Sequence, residues 1–312
     1  MKYVEFVNSV LKKTIAVEEN LVLFGQNINA ASCLSGLTRG LGGINKGLTI
    51  NTPNSENTLV GVGFGLMLNG ISSIFFMKQM DFLLLGIDHL VNTYNVVRQK
   101  EPSASFTIFP INVDSGYEGP QSALNNFNDF CSIANIEGYS FTNMVDTEEV
   151  IRKNLVKPGF RIMASSQRLL KQDVINLPII QKNEECQYYQ YHVGHDVSVI
   201  CFNFSLPYGI KLNEAFIKRG HSCSLFSVNS YHEMDYTNLI EDIRRSKNLV
   251  IIDDTKSLNK SSDRFLKEVY RSCKLDSSLV IQRNFTNENL YPNQDLLEID
   301  YESIVEQFSA CD

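Results

Sequence analysis

No stretch of this 312-residue sequence stays apolar for the roughly 20 residues that a bilayer-crossing helix needs. The greasiest part, Leu59 to Leu90, is interrupted by Gly61, Gly63, Gly65, Asn69, Lys78, Gln79 and Asp81, so no membrane span is expected. No secretory leader is read ahead of the first helix. Basic residues are in deficit: 28 Lys and Arg stand against 35 Asp and Glu, a formal net charge of −7. A nucleic-acid surface needs clustered cations to displace counterions from phosphates, and that class is set aside. Paired cysteines are lacking too. Cys33, Cys131, Cys186, Cys201, Cys223, Cys273 and Cys311 never fall at the two-residue gap of zinc or redox pairs. An odd, scattered set, mostly in apolar strand-like contexts, is that of a cytoplasmic protein with reduced thiols. There is no P-loop, and Gly61-Val62-Gly63-Phe64-Gly65 lies inside a helix-like stretch with the wrong third spacing for a dinucleotide turn.

What is present is an ordinary globular composition, 43% apolar and 20% charged, enough for about two domains. Tyr3 to Glu19 carries apolar residues at a helical period, and Leu21 to Phe24 is a short apolar run stopped by Gly25. Thr52-Pro53-Asn54-Ser55 supplies a proline and capping residues before a helix over Glu56 to Leu68. A strand at Ser73 to Met77 and a long helix from about Phe82 to Arg98 follow. The alternation continues to a strand at Phe160 to Ala164, and it predicts a mostly parallel sheet flanked by helices. A polar, tyrosine-rich stretch then precedes a second alternation from Val197 to Gln282. The expected fold class is therefore α/β, two open, mostly parallel sheets flanked by helices. The expected division is a first domain at 1–170, a linker at 171–195 and a second domain at 196–312.

In open parallel sheets ligands lie beyond the carboxyl ends of strands, which directs the search to the loops there. Glu56 opens a helix at such an end. An acid in a first helical turn is favoured by the helix dipole alone, so spacing by itself assigns Glu56 no chemistry. Among the histidines, His89 has the setting of a core or interface residue, and His192 and His195 have a metal-compatible gap but no completing acids or cysteines. His221 and His232 fall in loops. Arg168 follows the last strand of the first alternation and is a candidate substrate contact.

A series of segments changes the weight on Glu56. Phe24-Gly25-Gln26-Asn27-Ile28, Leu37-Thr38-Arg39-Gly40-Leu41, the Thr-Pro-x-Ser-Glu loop at Thr52 to Glu56, and Met80-Asp81-Phe82 through Gly86-Ile87-Asp88-His89-Leu90 occur in one order. This series resembles the pyrimidine-binding half of the transketolase superfamily, most closely the beta subunits of the decarboxylating component of 2-oxo-acid dehydrogenases, over nearly the whole chain. The latter half, from Asp196, is similar to the transketolase carboxyl-terminal domain.

The resemblance implies that Glu56 hydrogen-bonds a ring nitrogen of the aminopyrimidine of thiamin diphosphate, and so promotes removal of the thiazolium proton. Such a carboxyl group is expected to be shielded from water. Met80 and Phe82 are the implied apolar contacts of the pyrimidine, Met80 standing where the family often has an aromatic residue. Gly119-Pro120-Gln121-Ser122 matches a transketolase loop in which histidine occupies the place of Ser122, so Gln121 and Ser122 become candidate substrate contacts with hydrogen bonding alone. Gln26 stands where such beta subunits usually carry an acid. The Gly-Asp-Gly motif that holds Mg2+ and the diphosphate in this superfamily is missing. The resemblance therefore implies a separate diphosphate-binding subunit, self-association, and a two-plus-two heterotetramer. Two-carbon ketol transfer from a ketose is the leading expectation. Decarboxylation of a 2-oxo acid is the alternative, and a non-catalytic regulatory or scaffolding subunit is the third.

Overall fold

The computed structural model describes residues 1–114, 127–231, 234–257, 259–283 and 297–309. The chain divides after Asn176 into two compact units. In the first, helix α1 (Tyr3–Ile15) leads to strand β1 (Val22–Gly25), the short helix α2 (Leu41–Ile44) and strand β2 (Leu48–Asn51). Helix α3 (Glu56–Leu68) and strand β3 (Ser73–Met77) follow with the bounds expected from the sequence.

The long helix expected over Phe82 to Arg98 is instead a 3-10 turn at Met80–Gly86, a π stretch at His89–Thr93 and an α-helical end, α4 (Tyr94–Arg98). Packing against α3 explains the change of pitch. A Cβ on Gly86 would lie 2.8 Å from Val60 Cγ2, and one on Gly61 would lie 3.0 Å from His89 Nε2, so both contacts must be met at once. Strand β4 (Ser105–Asn112), helix α5 (Phe127–Ala134), strand β5 (Glu137–Ser140), helix α6 (Met144–Asn154) and strand β6 (Gly159–Ser166) complete the unit.

The sheet order is β2-β1-β3-β4-β6-β5, with every pairing parallel. Two helical layers flank it: α1 packs with α2 and α6, while α3 packs with residues 80–98, which also meet α5. Phe64 anchors α3, lying edge-on to Phe106 and Phe160 at centroid distances of 5.1 and 4.8 Å. Burying such a ring contributes about 1.5–3 kcal/mol, and each ring pair about 0.5–1.5 kcal/mol more. Gly63 is required beside it, since a Cβ there would sit 2.1 Å from the Phe106 ring.

The stretch expected as a linker supplies two antiparallel edge strands of the second unit, β7 (Gln181–Lys182) and β8 (Tyr188–His192). Its tyrosines are core residues: Tyr188, Tyr189 and Tyr191 are all buried. Strand β9 (Val197–Phe202), helix α7 (Leu206–Lys218), strand β10 (Cys223–Val228), helix α8 (Thr237–Ser246), strand β11 (Asn248–Asp253), helix α9 (Asp263–Ser272), strand β12 (Ser277–Gln282) and helix α10 (Tyr301–Ser309) follow. The order is β12-β11-β9-β10-β8-β7. Cys131, Cys201 and Cys223 are buried, and burial raises all three thiols, that of Cys201 to about 12.

The turn before β9 is pinned by Asp196, whose carboxylate accepts the Ser222 backbone N–H at 2.6 Å and its hydroxyl at 2.9 Å. The backbone bond is the main reason its pKa lies below the usual carboxylate value. A depressed folded pKa gives stabilisation that is complete above the unfolded value near 4 and is lost as the pH falls through the folded one. The wild type is expected to lose its stability advantage over Asp196→Asn between about pH 5 and pH 2 in urea titrations. An unchanging difference across that range sinks the assignment.

Candidate functional site

The first sheet changes direction between β1 and β3: the chain leaves β1 for β2 on one side and leaves β3 for β4 on the other. A crevice forms beyond the carboxyl ends of strands at such a point. Gly25 closes β1 at φ +146°, where a Cβ would lie 2.1 Å from the Phe76 carbonyl oxygen, so only glycine permits the two strand ends to come this close. The register ends at Gly25↔Phe76, so Gln26 is the first residue beyond the carboxyl end of β1. Gly25 also accepts the Thr52 backbone N–H at 3.0 Å, and Asn51 Oδ1 accepts the Asn29 N–H at 2.9 Å. These bonds hold the Thr52 to Glu56 loop at the same edge.

Glu56 is the first residue of α3, after Ser55, whose carbonyl accepts the Leu59 N–H at 2.8 Å. The 3-10 turn carrying Met80 and Phe82 lies against this first helical turn. The Asn57 side-chain amide donates to the Leu85 carbonyl at 3.1 Å, and a Cβ on Gly86 would be 3.6 Å from the Glu56 carbonyl oxygen. Met80 is buried at 1% exposure, whereas Glu56 and Phe82 are half-buried. The full shielding expected for Glu56 is therefore not provided by this chain alone. No hydrogen bond or ion pair engages the Glu56 carboxylate among the described residues. The Thr52 hydroxyl is enclosed without a hydrogen-bond partner. An unengaged carboxylate, an unengaged hydroxyl and two apolar side chains thus belong to elements that meet at one strand-end crevice.

The corresponding turning point of the second sheet, between β9 and β11, is filled by its own side chains. Asp253 accepts from Asn203 at 2.8 Å, from the Thr255 N–H at 3.1 Å and from the Ser262 N–H and hydroxyl, both at 2.8 Å. That carboxylate is committed to holding its loops.

No protein-family model matches the chain. The beta subunit of 2-oxoisovalerate dehydrogenase from Bacillus subtilis is 22% identical over 272 residues, 82% of this chain and 80% of that one. The mitochondrial pyruvate dehydrogenase E1 component subunit beta of Dictyostelium discoideum is 20% identical over 266 residues, 80% and 72% of the two chains. A split-gene transketolase, solved as an inactive beta4 tetramer, superposes with a TM-score of 0.74 at 12% identity, over 98% of this chain and 97% of that one. Its sequence is thus similar to beta subunits of 2-oxo-acid dehydrogenases over about four-fifths of the chain, and its fold is that of transketolases. Transketolase of Campylobacter jejuni shares the fold at a TM-score of 0.69 and 11% identity, with 98% of this chain matching 44% of the longer one.

Against this beta-subunit frame, Arg168 has a different setting from the one expected. Its guanidinium lies 3.6 Å from Asp114 Oδ2 and its backbone N–H donates to Asp114 Oδ1 at 2.9 Å. The Ser166 hydroxyl donates to the same carboxylate at 2.5 Å. With 8% of the Arg168 side chain and none of that of Asp114 exposed, the arginine is held in a buried ion pair. The Asp partner, 54 residues away in sequence, could not be found by local pattern. Gln121 and Ser122 lie outside the described residues, as does His232.

Other expectations resolve simply. His89 Nδ1 lies 2.7 Å from Thr93 Oγ1 within the helical layer, where the imidazole is half-buried. His192 Nδ1 meets the Cys223 carbonyl at 2.6 Å, bracing β8 against β10. Gln26 is half-buried at the crevice edge. Among the described residues no group of three or more His, Cys, Asp or Glu side chains could hold a metal, and no described helix is long and apolar enough to cross a membrane. Sequence reasoning passed over Thr52 and Gly25 as site residues, although both stand in the segments that carried the resemblance. Their signal was the Thr-Pro pair and the glycine ending an apolar run.

Proposed function

We propose that this chain is the pyrimidine-binding subunit of a split, thiamin-diphosphate-dependent, transketolase-like enzyme acting on a carbon–carbon bond next to a carbonyl. The observation that carries the reading is the unengaged Glu56 carboxylate at the turning point of the first sheet, beside the turn bearing Met80 and Phe82. The residues fit the pyrimidine end of the coenzyme: Glu56 has an oxygen free to share a proton with a ring nitrogen, and the half-buried Phe82 offers an apolar face, with Met80 enclosed in the same turn. When bound, the coenzyme supplies a thiazolium carbon that becomes nucleophilic on losing its proton. This chain's part is to orient the pyrimidine, hold a proton at Glu56 and exclude water around it.

Mg2+ and the diphosphate fall to a separate diphosphate-binding subunit. The likeness to beta subunits of dehydrogenases supports this, as does the lack of a Gly-Asp-Gly motif in the sequence. The assembly we favour is a two-plus-two heterotetramer in the cytoplasm, where buried free thiols stay reduced. Two-carbon ketol transfer is the leading reaction, in keeping with the split transketolase neighbour. The beta-subunit relatives of the 2-oxoisovalerate and pyruvate dehydrogenases favour the second reading, decarboxylation of a 2-oxo acid.

Reconstitution with the diphosphate-binding subunit, thiamin diphosphate and Mg2+, followed by product analysis, separates the two. A pentulose phosphate with an aldose acceptor is expected to yield a ketose two carbons longer than the acceptor. Carbon dioxide from pyruvate or a branched 2-oxo acid selects the second reading, and no turnover of either leaves a scaffolding subunit. In calorimetry, thiamin diphosphate with Mg2+ is expected to bind the pair of subunits and scarcely at all this chain alone.

A further inference from the structure

We infer that the second unit carries a binding site for a small organic cation, one presenting an ammonium or guanidinium group, in a cleft at the amino ends of β9, β11 and β12. The cleft has a volume of about 190 Å³ and is bordered by His195, Asp196, His221, Asn248, Asp276 and Phe308. It lies at the opposite end of the sheet from the loops that Asp253 ties together, and none of these residues belongs to the Glu56 crevice.

Its walls offer acceptors in excess of donors. Asp196 uses Oδ2 for both the Ser222 N–H and the Ser222 hydroxyl, and its Oδ1 has no donor among the described residues. The Asp276 carboxylate has neither a hydrogen bond nor an ion pair among the described residues. Ser309 donates to the Val305 carbonyl at 2.7 Å, so its oxygen accepts from His221 Nε2, also at 2.7 Å. That puts the ring proton on Nε2 and leaves Nδ1 an acceptor in the neutral imidazole. The Asn248 amide donates to the Asp196 carbonyl at 3.0 Å, while its oxygen is enclosed without a donor, an unmet acceptor in the cleft wall.

The backbone adds to the same sign. Helix α8 ends at Ser246 and α10 at Ser309, both against the cleft, and helix carboxyl ends carry partial negative charge. Among the described residues no lysine or arginine borders the cleft. Arg245 is paired with Asp242 instead, and Arg219 with Glu302 and Glu306. A metal ion would need three close ligands, and no described group of His, Cys, Asp or Glu provides them. An organic cation suits the set better, because its N–H bonds reach acceptors spread over a wider circle. Phe308 gives it an apolar wall for a short alkyl stem.

The test titrates the full chain calorimetrically with n-butylguanidinium and n-butylammonium, with n-butanol and tetramethylammonium as controls, and needs neither coenzyme nor partner. At least one of the first two is expected to bind with a Kd of about 1 mM or tighter at low ionic strength, and both controls about tenfold more weakly or worse. Asp276→Asn, at an exposed side chain, is expected to weaken binding about tenfold with an unchanged circular dichroism spectrum. In hydrogen exchange the bound cation is expected to slow the amides at the end of α10, a reading that needs no variant. Absence of binding by both cations overturns the proposal. So does a control that binds as tightly, an Asp276→Asn chain that binds as the wild type does, or α10 amides that exchange equally fast with and without the cation.

Discussion

Glu56→Gln is expected to lower turnover of the assembled enzyme by about 10²–10⁴-fold, to background, while leaving fold and assembly in place. The amide has the size and hydrogen-bonding reach of the carboxyl group but no proton to give or take near neutral pH. Glu56 has no hydrogen-bond or ion-pair partner among the described residues and is half-buried, so exchanging it disrupts no contact. The loss in stability is that of one acid in a first helical turn, about 0.3–1 kcal/mol. The expected signature is therefore a collapse in kcat with a melting temperature within a few degrees of wild type and unchanged subunit mass. A scaffolding role predicts the opposite, indifference of every readout to the exchange. Turnover retained in Glu56→Gln would end the catalytic reading, because no other described carboxylate at this edge is unengaged. Asp81 is buried with partners of its own, and Asp114 is tied to Ser166 and Arg168.

The parts of the fold legible in the sequence are those in which local pattern and burial agree. Ser73–Met77 is buried at every position, as a central parallel strand must be, and its apolar run shows it. Glu56–Leu68 is legible from its capping loop and its length. Strand β2 escaped because Leu48–Asn51 pairs on one side only and stays largely exposed, so no apolar run marks it. The tyrosines of β8 read as linker in the sequence because the residues between and before them are polar, and only their pairing in the sheet makes them core.

The site divides in the same way. Glu56 was found through a motif of neighbouring segments, since its position in the helix says nothing by itself. The crevice depends on which strands lie adjacent, and chain order alone does not give that. The tie between Arg168 and Asp114 is a long-range contact of two charges whose nearest sequence neighbours are unremarkable, and it gives a candidate substrate residue a structural partner as well.

That pairing makes the second large prediction. Arg168→Leu is expected to destabilise the first unit by about 3–5 kcal/mol, because it leaves the Asp114 carboxylate enclosed without its cation. Asp114 keeps the Ser166 hydroxyl and the Arg168 backbone N–H, which places the loss toward the lower end. For a unit of this size the melting temperature should fall by about 6–12 °C. An arginine that served substrate binding would behave otherwise, raising KM with the melting temperature unmoved.

The discriminating variant is the double exchange Arg168→Leu with Asp114→Asn. Neutralising the stranded carboxylate removes the buried charge while an amide oxygen can still accept from Ser166, so the double variant is expected to melt above Arg168→Leu alone. Two residues acting independently would give additive losses instead. A double variant less stable than either single one would place Arg168 and Asp114 in separate roles and return Arg168 to the substrate side of the crevice.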